Sequence, residues 1–470
     1  MTGRYAFGGI VSAALLAGCA LQPSHLPTAT LPDRFERAPR EGSANWPSSD
    51  WYTEFGSSEL DRLIGQAIAS NLELRGARAR IEQALERARQ ARAGLRPAVD
   101  ALGNVNSLSG HSAEGTLHET DWSGLLSASY EVDFWGKNHA VADSAKDAFI
   151  ASQADRDTLA LTTLAAVANE YFQLLSLRER LNIAQSNVAA AKGLVDIVSA
   201  RYQAGLANPA EVASQRAALA VAQLQIPELR RLEDESLAAL GAFLGRPPEG
   251  FVVEGTALDV LHEPSVAPGL PAELLQRRPD IYTAEANLAA ASADTVAARA
   301  AVYPSLNLTL AGGLANPAVG AVVNTLSGTG PSLNLGAGLT QPIFNAGKLR
   351  SQSREARAKE QEVLAQYKTA VVAALVDVEN SLGAKHHLDE AREAQKLNVD
   401  ESERAFEGAR ARYQYGSGDF LSVLEAQRVL NTARDQYALY RLARLQALVG
   451  LCKALGGGWH AQPQLQSVTP

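Results

Sequence analysis

The chain has 470 residues, and 43 Lys plus Arg against 51 Asp plus Glu give a formal charge of −8, a balance that argues against a nucleic-acid binder. Its 2 Cys allow at most one disulfide and no multi-cysteine metal centre, and its 1 Met is the initiator, leaving the folded protein no thioether for Cu(I) or Ag(I). With 46% apolar residues, 20% charged and no low-complexity tract, the composition argues against wholesale disorder and leaves room for about three average domains or one large unit.

Residues 1–18 read as a signal peptide, with Arg4 near the start, the apolar run Ile10–Leu16, then small residues. That run is shorter than the ~20 residues a membrane-spanning helix needs. Leu16-Ala17-Gly18-Cys19 resembles the bacterial lipobox, in which the Cys becomes the acylated first residue of the mature chain. The plainer alternative is a secretory signal that happens to contain a Cys. Ala20, rather than Asp, after Cys19 implies by the same resemblance sorting to the outer membrane. Cys452 is then the one free thiol, in a helical pattern that suits a small buried hydrophobe. Residues 19–50, punctuated by Pro23, Pro27, Pro32, Pro39 and Pro47, read as an extended tether.

From Trp51 the pattern is helical, and the body is written twice. A shift of 207 carries Leu74, Ala77, Ile81, Ala84 and Pro97 onto Ile281, Ala284, Leu288, Ala291 and Pro304. A shift of 211 carries Gly136-Lys137 onto Gly347-Lys348, and Arg201-Tyr202-Gln203 with Gly205 onto Arg412-Tyr413-Gln414 with Gly416. The expected organisation is a first repeat over 51–265, a second over 266–460 and a tail over 461–470.

Each repeat predicts helix, strand pair, very long helix and returning helix. The first helix is expected over Glu59–Arg96, stopping at Pro97; its second copy starts near Pro279 and stops before Pro304. Leu306, Leu308 and Leu310, then Leu333, Leu335, Ala337 and Leu339, alternate with polar or small residues, and Trp122 to Val132 repeats the pattern more weakly, with a partner strand near Ala98–Leu108. Such period-two segments fit either the edge of a soluble sandwich or transmembrane barrel strands. Lys137–Gln203 and Lys348–Gln414 contain no Pro and predict helices of ~100 Å each. A 3–4 seam through Leu174, Leu177, Leu181, Ala184, Val188, Ala191, Val195, Val198 and Tyr202 predicts coiled-coil packing against a return helix carrying Val212, Leu219, Ala222, Ile226 and Leu229. Arg75, Arg78, Glu82, Arg87 and Arg92 read as solvated helix faces. The helices turn at Gly205 to Pro209 and at Gly416 to Asp419.

Four strands cannot close a barrel, and open sheet edges are not tolerated in hydrocarbon. The strands therefore predict a homo-oligomer with a shared barrel, continued by the helices as a periplasmic tube.

These residues also carry a family resemblance. Leu270-Pro271, Leu274-Leu275-Gln276-Arg277-Arg278-Pro279-Asp280-Ile281, Ala284-Glu285, Leu288, Ala291 and Tyr303-Pro304-Ser305-Leu306 resemble the signature of the TolC-like outer membrane efflux lipoproteins of the NodT and OprM type. Trp51, Phe55, Leu60, Leu63-Ile64, Ala67, Asn71 and Leu74 match the N-terminal pattern, and Tyr130 to Lys137 the strand-to-helix junction. Arg412-Tyr413, Gly416, Leu421 and Val423-Leu424-Glu425-Ala426-Gln427-Arg428 match the second tip, so the likeness spans essentially the mature chain.

The resemblance implies a mainly α fold with a β-barrel part: a trimeric twelve-stranded outer membrane barrel on a long α-helical coiled-coil periplasmic tunnel. It implies the exit duct of a tripartite efflux pump for small toxic compounds, docked through tips at Gly205 and Gly416 to a periplasmic adaptor (a membrane fusion protein) and an inner-membrane transporter of RND type. No metal or cofactor is implied beyond the lipid on Cys19, which meets the outer membrane. Relatives place an acid at the position of Glu425, forming a ring in the trimer, and latch the closed tip through positions matching Tyr413 and Glu211. Where some relatives add an arginine this chain has Gly418, and Asp419 fits either the ring or a helix cap.

No catalytic constellation competes: GxSxG, HExxH, paired CxxC and phosphate-loop sequences are all missing, and Gly336-Ala337-Gly338 lies in a strand pattern. His386-His387 are adjacent, so on a helix they are expected to diverge rather than share a metal. The chain reads as a passive channel and not an enzyme. Two rivals stand beside efflux: a channel for type I protein secretion, from which the lipobox tilts away, and a structural coiled-coil lipoprotein without a pore, which leaves the paired strands unexplained.

Overall fold

A computed structural model describes residues 31–38, 44–112, 115–315 and 332–460; the expected signal peptide, Cys19, part of the expected tether and the tail lie outside them. From the second helix on, the elements follow in the same order twice. Helices α1 (Ser58–Ser70) and α2 (Leu72–Ala93) lead to strands β1 (Ala98–Ser112) and β2 (Gly115–Val132), then to α3 (Lys137–Gln203) and α4 (Pro209–Phe243). The second round runs α5 (Pro279–Ala300), β3 (Ser305–Ala315), β4 (Ser332–Thr340), α6 (Lys348–Gln414) and α7 (Phe420–Ala454). Paired elements match in length: 22 residues for α2 and α5, 67 for α3 and α6, 35 for α4 and α7.

The first helix differs from expectation: it is broken at Asn71. That residue leaves helical geometry at φ −57° and ψ 128°, and its Oδ1 accepts from Leu74 N at 3.0 Å, capping α2. Its Nδ2 donates to Phe243 O at 2.8 Å, so the break is held from outside the helix pair. Asn71→Ala removes both bonds from a buried site and is expected to cost about 1–2 kcal/mol. A lower thermal midpoint by circular dichroism checks this; an unchanged midpoint refutes the cap's role.

The chain packs into two units. One holds Ala79–Gln153 and Thr283–Lys368, and the other Ala29–Arg78, Ala154–Tyr282 and Thr369–Pro470. In the first, the four strands form one antiparallel sheet in the order β1-β2-β3-β4. Register places residues of one kind opposite each other. Val99, Ala128, Leu310 and Leu335 form one row, and Ala101, Leu126, Gly312 and Leu333 the next. Asp100, Ser127, Ala311 and Asn334 lie on the other face. The sheet thus has one continuous apolar face, and its large side chains, Leu335 among them at 79%, are exposed. At the strand-to-helix junction Trp135 stacks on Tyr303 at 4.8 Å and its Nε1 donates to Pro304 O at 2.8 Å.

The second unit contains the main core. Trp51, Phe55, Leu60, Leu63 and Ile64 pack against Phe172, Leu174, Leu175, Leu240, Leu448 and Cys452. Burial pushes the Cys452 thiol up to about 12, so it stays a protonated packing residue. The heptad seam is buried at Leu174, Leu177, Ala184, Ala191 and Val198, but Tyr202 is 47% exposed because the helix is about to turn. The tether expectation is corrected in its described part. Phe35 is buried, Asn45 bridges Ala267, and Trp46 donates to Glu273 at 3.0 Å beneath the Arg277 guanidinium, so this stretch is docked. Arg278, in the same motif, is buried and pairs with Asp280 at 2.7 Å and Asp377 at 3.0 Å while donating to Ala454 O at 3.1 Å.

Candidate functional site

Both helix hairpins turn by the same local chemistry. After α3, Leu206 N donates to Arg201 O at 2.8 Å and Gly205 N to Tyr202 O at 3.0 Å; after α6, Ser417 N donates to Arg412 O at 2.9 Å and Gly416 N to Tyr413 O at 3.1 Å. This paired closure needs a left-handed residue after the helix, supplied by Gly205 at φ 71° and Gly416 at φ 78°. The returning helices start on side-chain caps. Asn208 accepts from Glu211 N at 3.0 Å, and Asp419 accepts from Ser422 N at 2.8 Å and from its hydroxyl at 2.7 Å. Both Asp419 oxygens are engaged, which makes it a cap, and the Ser422 bonds hold its carboxyl below the usual range.

The structure brings Tyr413 and Glu211 together. The phenol donates to Glu211 Oε2 at 3.0 Å, while Glu211 Oε1 accepts from Asn208 Nδ2 at 2.9 Å. Tyr413 is buried with Leu194, Val198, Val212, Phe406, Phe420 and Val423. Burial, then the Glu211 bond, raises its phenol above the ordinary value. The residue-level reading missed Arg201, whose guanidinium lies 4.6 Å over the Tyr413 ring and donates to Tyr413 O at 2.9 Å. Its signal was present in the duplicated Arg-Tyr-Gln: the Arg of the first copy meets the Tyr of the second. At Gly418 a Cβ would stand 3.0 Å from Arg412 Cβ, so a side chain there needs its neighbours to give by a few tenths of an ångström.

Glu425 lies away from this cluster, exposed on α7. Arg428 grips it bidentately at 2.6 and 3.2 Å and holds its carboxyl below the usual range. His386 and His387 depart from expectation. Both rings lean toward Glu390, each with a nitrogen 3.7 Å from its carboxylate, and the three donor atoms lie within 4.8 Å of one another. Long exposed side chains overcome the 100° separation of adjacent helical positions.

Paired 67-residue helices joined to a four-stranded sheet define a TolC-like chain, mainly helical with four strands. The profile described as Outer membrane efflux protein matches residues 63–246 and 270–457, and the chain belongs to that family. It is 40% identical to the pyoverdine export outer membrane protein OpmQ of Pseudomonas aeruginosa, covering 97% of each chain. It is 29% identical to the probable efflux pump outer membrane protein TtgC of Pseudomonas putida, covering 96% of this chain and 95% of that one. The solved outer-membrane channel OprN superposes with a TM-score of 0.86 at 26% identity, over 94% of this chain and all of that one. The protein is an outer membrane efflux channel with a periplasmic helical tunnel, and not an enzyme.

Proposed function

We propose that three copies of this chain form one passive duct of twelve strands and a helical tunnel, anchored by acylated Cys19 and built from the repeats 51–265 and 266–460. The observation that carries the reading is the open sheet. Among the described residues β1 and β4 each leave one edge unpaired beside an exposed apolar face, in a chain of an outer membrane channel family. Neighbouring copies are what can satisfy those edges in lipid.

The tips are the gate. Tyr413, Glu211 and Arg201 clamp one hairpin against the other, and Glu425 contributes to an acidic ring. Exposed Leu206, Tyr415 and Leu421 beside Gly205 and Gly416 supply an apolar docking surface for a periplasmic adaptor, which links the duct to an inner-membrane transporter of RND type. The likeness to a pyoverdine exporter supports a cargo of that kind, with selection left to the pump.

The test is to purify the full chain from membranes, weigh the intact complex and record currents in planar bilayers. A trimeric mass, tip-dependent co-purification of an adaptor and single-channel currents are expected; a monomer without current overturns the reading. In the same bilayers Glu425→Gln is expected to lower cation selectivity, because a carboxylate ring favours cations. An unshifted reversal potential removes Glu425 from the gate.

A further inference from the structure

Charge is unevenly distributed where the helices meet the sheet. Residues 87–96, just ahead of Pro97 and β1, carry Arg87, Arg89, Arg92 and Arg96 and no acid. The first ten of α6, 348–357, carry Lys348, Arg350, Arg354 and Arg357 against Glu355 alone. The helices serving the two inner strands are balanced. Lys137 and Lys146 face Asp143 across the start of α3, with Lys137 paired to Glu131 at 2.6 Å, and Arg299 at the end of α5 is offset by Asp294. The basic excess therefore sits under the two edge strands.

Spacing gathers it further. Arg89, Arg92 and Arg96 recur at i, i+3 and i+7, and Arg350, Arg354 and Arg357 at i, i+4 and i+7, so each trio forms one stripe on one helix face. Beyond the last residue of α2, Leu95 N and Arg96 N donate to Arg92 O and Ala93 O at 3.1 and 3.0 Å, which carries the coil on to Arg96. All six side chains are exposed. Arg89 is paired with Glu86 at 2.6 Å, whereas Arg96, Arg350 and Arg357 have no ion-pair partner among the described residues. Between β4 and α6, Ile343 and Phe344 are each 89% exposed, two large apolar side chains beside the α6 stripe.

The sheet is antiparallel throughout, so β1 begins and β4 ends at the same side. Joining β4 of one copy to β1 of the next continues the alternation and brings the end of β4 and the start of β1 to the same side of the shared sheet. This step rests on the trimer proposed above. The α6 stripe of one copy and the α2 stripe of the next then converge beneath each subunit boundary. Arg96, Arg350 and Arg357, members of the two stripes without an ion-pair partner among the described residues, repel in one cleft unless anions neutralise them, and arginine matches a phosphate in its planar fork.

We propose that the three boundary clefts bind anionic phospholipids of the periplasmic leaflet, the headgroup phosphate lying between the two arginine stripes and the acyl chains along the apolar face of the sheet. Bound lipid thereby links neighbouring copies.

The detergent-purified full-length protein, stripped of lipid, is titrated with phosphatidylglycerol or with phosphatidylethanolamine of the same acyl chains and weighed intact. The expected result is a trimer that retains phosphatidylglycerol at least about 5-fold better. The quadruple variant Arg92→Gln, Arg96→Gln, Arg350→Gln, Arg357→Gln is expected to bring the two lipids to parity. A control with the same charge loss on other faces, Arg80→Gln, Arg87→Gln, Lys348→Gln, Lys359→Gln, is expected to keep the preference. A trimer that holds both lipids equally, or loses its preference in the control as in the stripe variant, overturns the cleft. A monomeric mass under all conditions overturns the trimer itself, and the converging stripes with it.

Discussion

Tyr413→Phe combined with Glu211→Ala is expected to raise single-channel conductance several-fold in planar bilayers. The Tyr413 hydroxyl donates to the Glu211 carboxylate at 3.0 Å, from a ring buried among Phe406, Phe420 and Val423. A bond of that kind contributes about 1.5–3 kcal/mol. Glu211 is itself held by the Asn208 side chain, so the acceptor is fixed before the tyrosine meets it. Arg201→Ala is expected to act in the same direction by removing both the cation over the ring and the donor to Tyr413 O. If conductance stays at the wild-type level in both variants, the clamp has no part in closure.

The protonation state sharpens this expectation. Burial and Glu211 raise the Tyr413 phenol above its ordinary 10.0. A raised folded value means the neutral phenol's contribution is fully present below the ordinary value and is lost only as pH rises through the higher one. Alkalinisation from pH 7 to 9 is therefore expected to leave the Tyr413–Glu211 bond intact on the tyrosine's account.

How much of this was legible beforehand depended on the range of the physics. The bounds of the 67-residue helices followed from local signals: no interior proline, and glycine just after each end at Gly205 and Gly416. Strand alternation was equally local. The break at Asn71 was not legible as a break, because Glu59 to Arg96 is helical in pattern and the decisive bond goes to Phe243 O, far along the chain. The docked tether was hidden for the same reason: Trp46 finds Glu273 and Arg277 only after folding. At the tip the Tyr413–Glu211 pairing came from family resemblance, whereas the duplicated Arg-Tyr-Gln marked Arg201 only as a repeat position, and its place over the Tyr413 ring follows from folding.

Phe172→Ala is expected to be the most damaging single substitution in the helical core, at about 3–5 kcal/mol. Phe172 is fully buried and tilts against Phe55 with ring centroids 5.0 Å apart, and Trp51 meets the other side of Phe55 at 6.2 Å. These rings join the segment before α1 to the middle of α3, so truncation opens a cavity that two separate parts of the chain would have to collapse to fill. Phe172→Leu retains most of the volume and is expected to recover the greater part of the loss. Thermal unfolding of the purified protein, followed by near-ultraviolet circular dichroism, separates the outcomes. A large fall in the midpoint for Ala and a small one for Leu follow from the packing. Equal falls point to the loss of aromatic contact itself, and no fall for either means the heptad seam rather than this aromatic cluster carries the unit's stability.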